Sequence, residues 1–145
     1  MAAGTISTSQ EDKRVTGRSN PVARIQAAQL SFVTGGGVTA DTATVFISGT
    51  IVRMDVVLSA VTGNADLTAS VTCSDDNGCV FGNELDHANL ADASTHYFDS
   101  QSSADDDGNF NPVTHHGDIT VSVAPDEDVG GTLQKLLVDV LFFVR

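Results

Sequence analysis

From about residue 25 onward the chain is organised by alternation of apolar and polar positions, and the pattern is densest at its end. In residues 132–145, TLQKLLVDVLFFVR, an extended backbone places Leu133, Lys135, Leu137, Asp139, Leu141 and Phe143 on one face. Gln134, Leu136, Val138, Val140, Phe142 and Val144 share the other. Neither face is polar enough to live in water, so the strand is expected between two layers of protein, one of which a neighbouring subunit can supply. A short apolar run also fits a buried helix, but the valines, the phenylalanines and the preceding Gly130–Gly131 break favour a strand. The apolar surplus sits at Leu137, Leu141 and Phe143, which makes them the candidate subunit interface.

The remaining pattern predicts short strands separated by turn residues. Residues 29–34 read as a strand ending at three glycines, 35–37, which supply the backbone freedom of a turn. Residues 44–48 read as the next, with Gly49 a bend or bulge inside a longer ribbon. In residues 50–61, Val52, Met54, Val56, Leu58 and Ala60 fall on a core face, and Arg53, Asp55 and Ser59 on a wet one, with Arg53 and Asp55 expected to be solvated. After the turn at 62–64, residues 66–73 look like a hairpin partner, with Leu67, Ala69, Val71 and Cys73 inward. Residues 79–82 suggest a short return, 83–94 a loop, and 95–99 a brief strand. The polar stretch 100–111 reads as a surface excursion, 118–123 as a strand with Ile119, Val121 and Val123 inward, and 125–131 as a turn. About eight strands, no internal repeat and no helix long enough for a crossover predict an all-β protein. The expected form is an antiparallel β-sandwich or jelly roll over residues 25–145, preceded by an extended arm, 1–24.

Length and composition agree with one such domain. A chain of 145 residues buries about 68 to 70% of its unfolded surface and does not depend on metal or disulfide for a core. Aromatic residues make up 6% and tryptophan is absent, so small β-compatible side chains carry the pattern. With 19 acids against 7 bases the net charge is −12, and the lysines are Lys13 and Lys135. Such a surface repels itself at low ionic strength but is screened at ~1 M salt, where the Debye length is about 3 Å, so a salt-loving source is consistent with it. The arm alone is basic: Lys13, Arg14, Arg18 and Arg24 outweigh Glu11 and Asp12, which makes it the candidate docking segment for an acidic or hydrogen-bonding partner. The acidic body lacks the cationic patch that nucleic acid requires. No apolar signal core occurs in the first 24 residues and no run of 18 apolar residues spans a bilayer, so no membrane step is expected.

The candidate chemical residues do not form a recognisable constellation. Cys73 and Cys79 bracket SDDNG and fit either a small disulfide or two free thiols. Asp105, Asp107, Asn109 and Asn111 start like a calcium loop, but Phe110 stands where glycine is needed and His116 where glutamate is needed. A noncanonical calcium site at Asp105 and Asp107, or at Asp75, Asp76 and Asn77, is therefore set below a solvated acidic loop. His115 and His116 are adjacent, so on a strand they point to opposite faces and chelate one ion poorly. No nucleophile elbow, phosphate loop or dinucleotide fingerprint is present. The expectation is a non-enzyme with no cofactor.

The succession SFVTGGG, ISGTIVRMDVVLS, DLTASVT, an acidic excursion, and DITVSVAPDEDVGGTLQKLLVDVLFFVR resembles small β-sandwich virion proteins of tailed phages and archaeal tailed viruses. Several of these are head decoration (cement) proteins or minor tail components. The resemblance covers roughly residues 29–145 and rests most on the Gly49, Thr50, Ile51 ribbon and the Gly131, Thr132 start of the last strand. It implies a homo-oligomer, a trimer above all, seated on the major capsid protein with terminal arms over neighbouring capsomers, and hence a virion location. The competing expectation is a tail or fibre-associated module that recognises a receptor or carbohydrate through the loops at 74–78 and 100–117.

Overall fold

The computed structural model describes residues 7–11 and 24–145, apart from 63, 65, 76, 80, 82–84 and 100–111. The described residues form eight strands and no helix: β1 (Ser7–Glu11), β2 (Arg24–Val33), β3 (Asp41–Leu58), β4 (Thr68–Ser74), β5 (His87–Ala91), β6 (Ser94–Asp99), β7 (Val113–Pro125) and β8 (Lys135–Val144). Every pairing among them is antiparallel. The class is the all-β, antiparallel sandwich that the alternation implies.

The architecture follows from the length of β3. Its first part, Asp41 to Ile51, pairs with β7, which continues to β4 and β5. Its second part, through Leu58, lies between β8 and β6, and β8 continues to β2 and β1. All eight strands form one hydrogen-bonded sheet that β3 divides into two halves, and each half acts as one sheet of the sandwich. The changeover is at Gly49, whose φ of 138° is closed to other residues, and at a register irregularity between Ile51 and Arg53. Thr50 and Arg145 exchange both backbone hydrogen bonds there, each 2.9 Å.

The irregularity also reverses the side-chain parity of β3. Ala43, Val45, Ile47 and Ile51 point inward before it, and Met54, Val56 and Leu58 after it. Val52, expected on the core face, is displaced from it and Ile51 takes the position. The inner faces of both sheets, including Leu30, Phe32, Val71, Ile119, Val121, Val138 and Phe142, merge in one buried cluster. Burial of each such side chain contributes about 1.5 to 3 kcal/mol, which makes this cluster the main source of stability.

Three local expectations change. Residues 66–73 form no hairpin with β3, because β8 and β6 already occupy both edges of that half; β4 pairs with β7 and β5 instead. Residues 87–91, expected as loop, form β5, anchored by buried Leu90 and by His87, whose ring stacks on Phe98 at 3.5 Å. Residues Cys79 and Phe81, within the expected short return, are outside any strand. The arm contributes β1, whose backbone pairs with residues Ile25 to Gln29 of β2.

One end of the sandwich is tied by Asp128. Its carboxylate accepts from the backbone N–H groups of Gly130 (2.9 Å), Gly37 (2.8 Å) and Gly35 (3.2 Å), joining the β2–β3 turn to the β7–β8 loop. These bonds, Gly130 first, hold its carboxyl below the ordinary value of 3.8. A depressed folded-state value means stabilisation that is complete above the ordinary value and is lost as pH falls through the lower one. Asp128→Asn is therefore expected to melt below wild type at about pH 7, with the difference shrinking as pH drops below about 4; equal melting at both pH values would contradict the tie.

Candidate interaction surface

The outer face of the β2–β8–β3–β6 sheet collects the residues singled out on the terminal strand. Leu137, Leu141 and Phe143 are half-buried and lie outside the core cluster, while their neighbours Leu136, Val138, Val140, Phe142 and Val144 are fully inside it. Cross-strand register sets Phe143 beside Ile25 and Arg53, Leu141 beside Ala27 and Asp55, and Leu137 beside Ser31. Tyr97 of β6 stands next to Asp55 and is 47% exposed. The strand begins at Lys135 rather than at Thr132, so Leu133, expected to share this face, lies instead in the preceding loop.

Polar groups on this face are paired within it. The Arg53 guanidinium donates twice to Asp55, Nε to Oδ1 at 2.7 Å and Nη2 to Oδ2 at 2.9 Å. Its plane also stands over the rings of Tyr97, at 4.8 Å, and Phe143, at 5.0 Å. Asp55 is only 7% exposed, so this pair is not the solvated one expected from sequence; β3 is central in its sheet, and neighbours on both sides cover the carboxylate. Gln29 likewise donates to Asp139 at 2.7 Å. The result is an apolar patch crossed by polar groups that are hydrogen-bonded to one another, which lowers the cost of covering it.

The outer face of the other sheet has different chemistry. Thr42, Thr44, Thr120 and Ser122 present hydroxyls, and Phe46, 53% exposed, meets His116 edge to face at 5.6 Å. Ser48 Oγ lies 2.9 Å from His116 Nδ1 and fixes that ring. His115 points the opposite way, against Phe81 at 5.2 Å, and its Nε2 is buried with no hydrogen-bond partner among the described residues.

Other candidate residues are scattered. Of the arm cations, Lys13, Arg14 and Arg18 lie outside the described residues, and Arg24 donates to the Ser48 carbonyl at 2.6 Å. Asp105 and Asp107 also lie outside them. His87 is buried in its stack on Phe98 and His96 Nε2 lies 3.0 Å from the Ala91 carbonyl, so the histidines do not converge. Among the described residues no three metal-ligating side chains cluster.

Cys73 and Cys79 are free thiols. Alternation along β4 turns Cys73 into the core, whereas Cys79 is exposed at the end of a loop closed by Asp75, whose Oδ1 accepts from Asn77 and Cys79, each at 2.9 Å. Burial, reinforced by the nearby Asp86 carboxylate, pushes the Cys73 thiol far up. A thiol reagent is expected to modify Cys79 alone in the native protein and both cysteines after denaturation; fast native labelling of Cys73 would mean that β4 does not face the core.

No protein-family model matches the chain, and no curated protein matches it. Solved structures of similar shape include a chain of the cyanophage Pam1 capsid asymmetric unit, 18% identical, with 92% of this chain and 94% of that one covered at a TM-score of 0.46. TmCBM61 in complex with β-1,4-galactotriose is 11% identical over 98% of this chain and 88% of that one, with a TM-score of 0.40. The VP2 subviral particle of infectious bursal disease virus is 11% identical over 98% of this chain and 37% of that one, with a TM-score of 0.39.

Proposed function

We propose that this chain is a structural virion protein, a capsid decoration or cement protein that forms a trimer and docks on the major capsid protein. The observation that carries the reading is the placement of Leu137, Leu141 and Phe143 on a central strand, outside the core and beside polar groups already paired. Covering that face with further copies buries apolar surface, keeps Arg53 paired with Asp55, and takes in Asp139 with its hydrogen bond from Gln29. The basic arm residues Lys13, Arg14 and Arg18 supply contacts to the shell, and multivalency makes weak contacts additive across a particle. Arg24, the fourth cation of the segment, donates to the Ser48 carbonyl. Catalysis, nucleic acid and membrane have no part in this role.

Replacing Lys13, Arg14 and Arg18 with serine is expected to leave a folded oligomer that no longer binds particles. Retained binding would sink the arm's role. The net charge of −12 makes association stronger at ~1 M than at ~0.1 M salt, which light scattering reads directly. A monomer at both salts would overturn self-association.

A second reading, a carbohydrate-binding module on a tail or fibre, draws on exposed Phe46 among the hydroxyls of the β3–β7 face. It requires glycan binding that Phe46→Ala abolishes while assembly persists.

A further inference from the structure

Leu133 carries two features that the folded chain does not compensate. It is 95% exposed, and its φ is 55°, in the left-handed region that disfavours a residue with a branched side chain. Glycine or asparagine would satisfy that backbone, and a polar residue would satisfy the solvent. The conformation is imposed from both flanks. Thr34 N–H donates to the Gln134 carbonyl at 3.1 Å, Gln134 N–H donates to Thr34 Oγ1 at 2.9 Å, and Thr34 Oγ1 donates to the Gly130 carbonyl at 2.7 Å. The loop is thus held in the one shape that projects a leucine outward. Strain combined with apolar exposure is an outlier that points to a function.

Beside the knob lies a groove of about 530 Å³, between Val33 and Thr34 on one side and residues 131–135 on the other. We propose that Leu133 of one copy seats in this groove of a second copy, so that each chain contributes a knob and receives one around a rotation axis beside the β7–β8 loop. Charge complementarity selects a second copy as the occupant. The loop that carries the knob also carries exposed Asp126 and Glu127, whereas the groove is lined by exposed Lys135 and by no carboxylate. In a chain of net charge −12, this groove is one of the few places where an acidic loop of the same chain is welcome. The site is continuous with the outer sheet face, since Val33 and Lys135 are cross-strand partners two positions along from Ser31 and Leu137. The inference rests on the self-association proposed above but not on the capsid role.

Disulfide trapping tests it in a Cys79→Ser background. A Val33→Cys chain is mixed with a Leu133→Cys chain, dissociated and reassociated, then oxidised, and the bridge is mapped by mass spectrometry. A 33–133 bridge between copies is expected. A Val33→Cys and Leu133→Cys mixture that still associates but yields no such bridge overturns the knob and groove while leaving self-association intact; a wild type monomeric at every salt and concentration overturns both. Leu133→Gly gives an independent readout, because it relieves the backbone strain. It is expected to raise the melting temperature of the dissociated chain and to weaken association at least tenfold, and unchanged association would overturn the proposal.

Discussion

Phe142→Ala is expected to destabilise the protein by about 4 kcal/mol, whereas Phe143→Ala, one residue on, is expected to cost about 1 kcal/mol and to act on assembly instead. Phe142 is fully buried between the two sheets, and its removal leaves a cavity that a close-packed interior fills only in part. Phe143 lies on the outer face, where its loss removes partial burial and the ring beneath Arg53. For a chain of this length the first change lowers the melting temperature by roughly 12 °C and the second by a few degrees. Thermal melts together with light scattering separate the two effects. Comparable loss of stability from both would place Phe143 in the core and remove the basis for an interface on that face.

Gly49→Val is expected to cost about 3 kcal/mol or more. Two independent constraints act at this position. The φ of 138° is open to glycine alone, and an added Cβ would collide with the Arg145 carbonyl oxygen and press on Val144 Cγ1. Because Thr50 and Arg145 are hydrogen-bonded to each other in both directions, the end of β8 cannot yield without losing those bonds. The milder Gly49→Ala, paired with a chain truncated before Arg145, forms a double-mutant cycle. Truncation is expected to reduce the alanine penalty, leaving the part due to backbone conformation. A penalty unchanged by truncation would mean that the close approach of the two backbones contributes nothing.

Alternation was sufficient wherever a strand keeps one register. It identified the inward residues of β4 and β7, and it separated Leu136, Val138, Val140, Phe142 and Val144 from Leu137, Leu141 and Phe143. It failed at Val52 because the irregularity beside it is set by where β8 meets β3, a contact between residues far apart in sequence. Burial of Asp55 was unreadable for the same reason: a charged residue on an alternating strand looks wet until the strands on both sides are known. Residues 87–91 lack a strong pattern of their own, and their strand depends on β4 and on the His87–Phe98 stack. Leu133 continued the apolar period of β8 but not its backbone, since the sign of φ at 133 depends on Thr34 a hundred residues away.

The passage of β3 through both sheets has a mechanical consequence. A load applied to the outer face of the β2–β8–β3–β6 sheet reaches the other sheet along a covalent backbone, not only through apolar contact between layers that could slide. Pulled along its length, β3 is resisted by backbone ladders to β7 on one stretch and to β8 and β6 on the other, so these bonds share the force in shear rather than opening one at a time. The joint between the two stretches is Gly49, clamped by the Thr50–Arg145 pair. Loosening that clamp would turn a single stiff plate into two hinged ones.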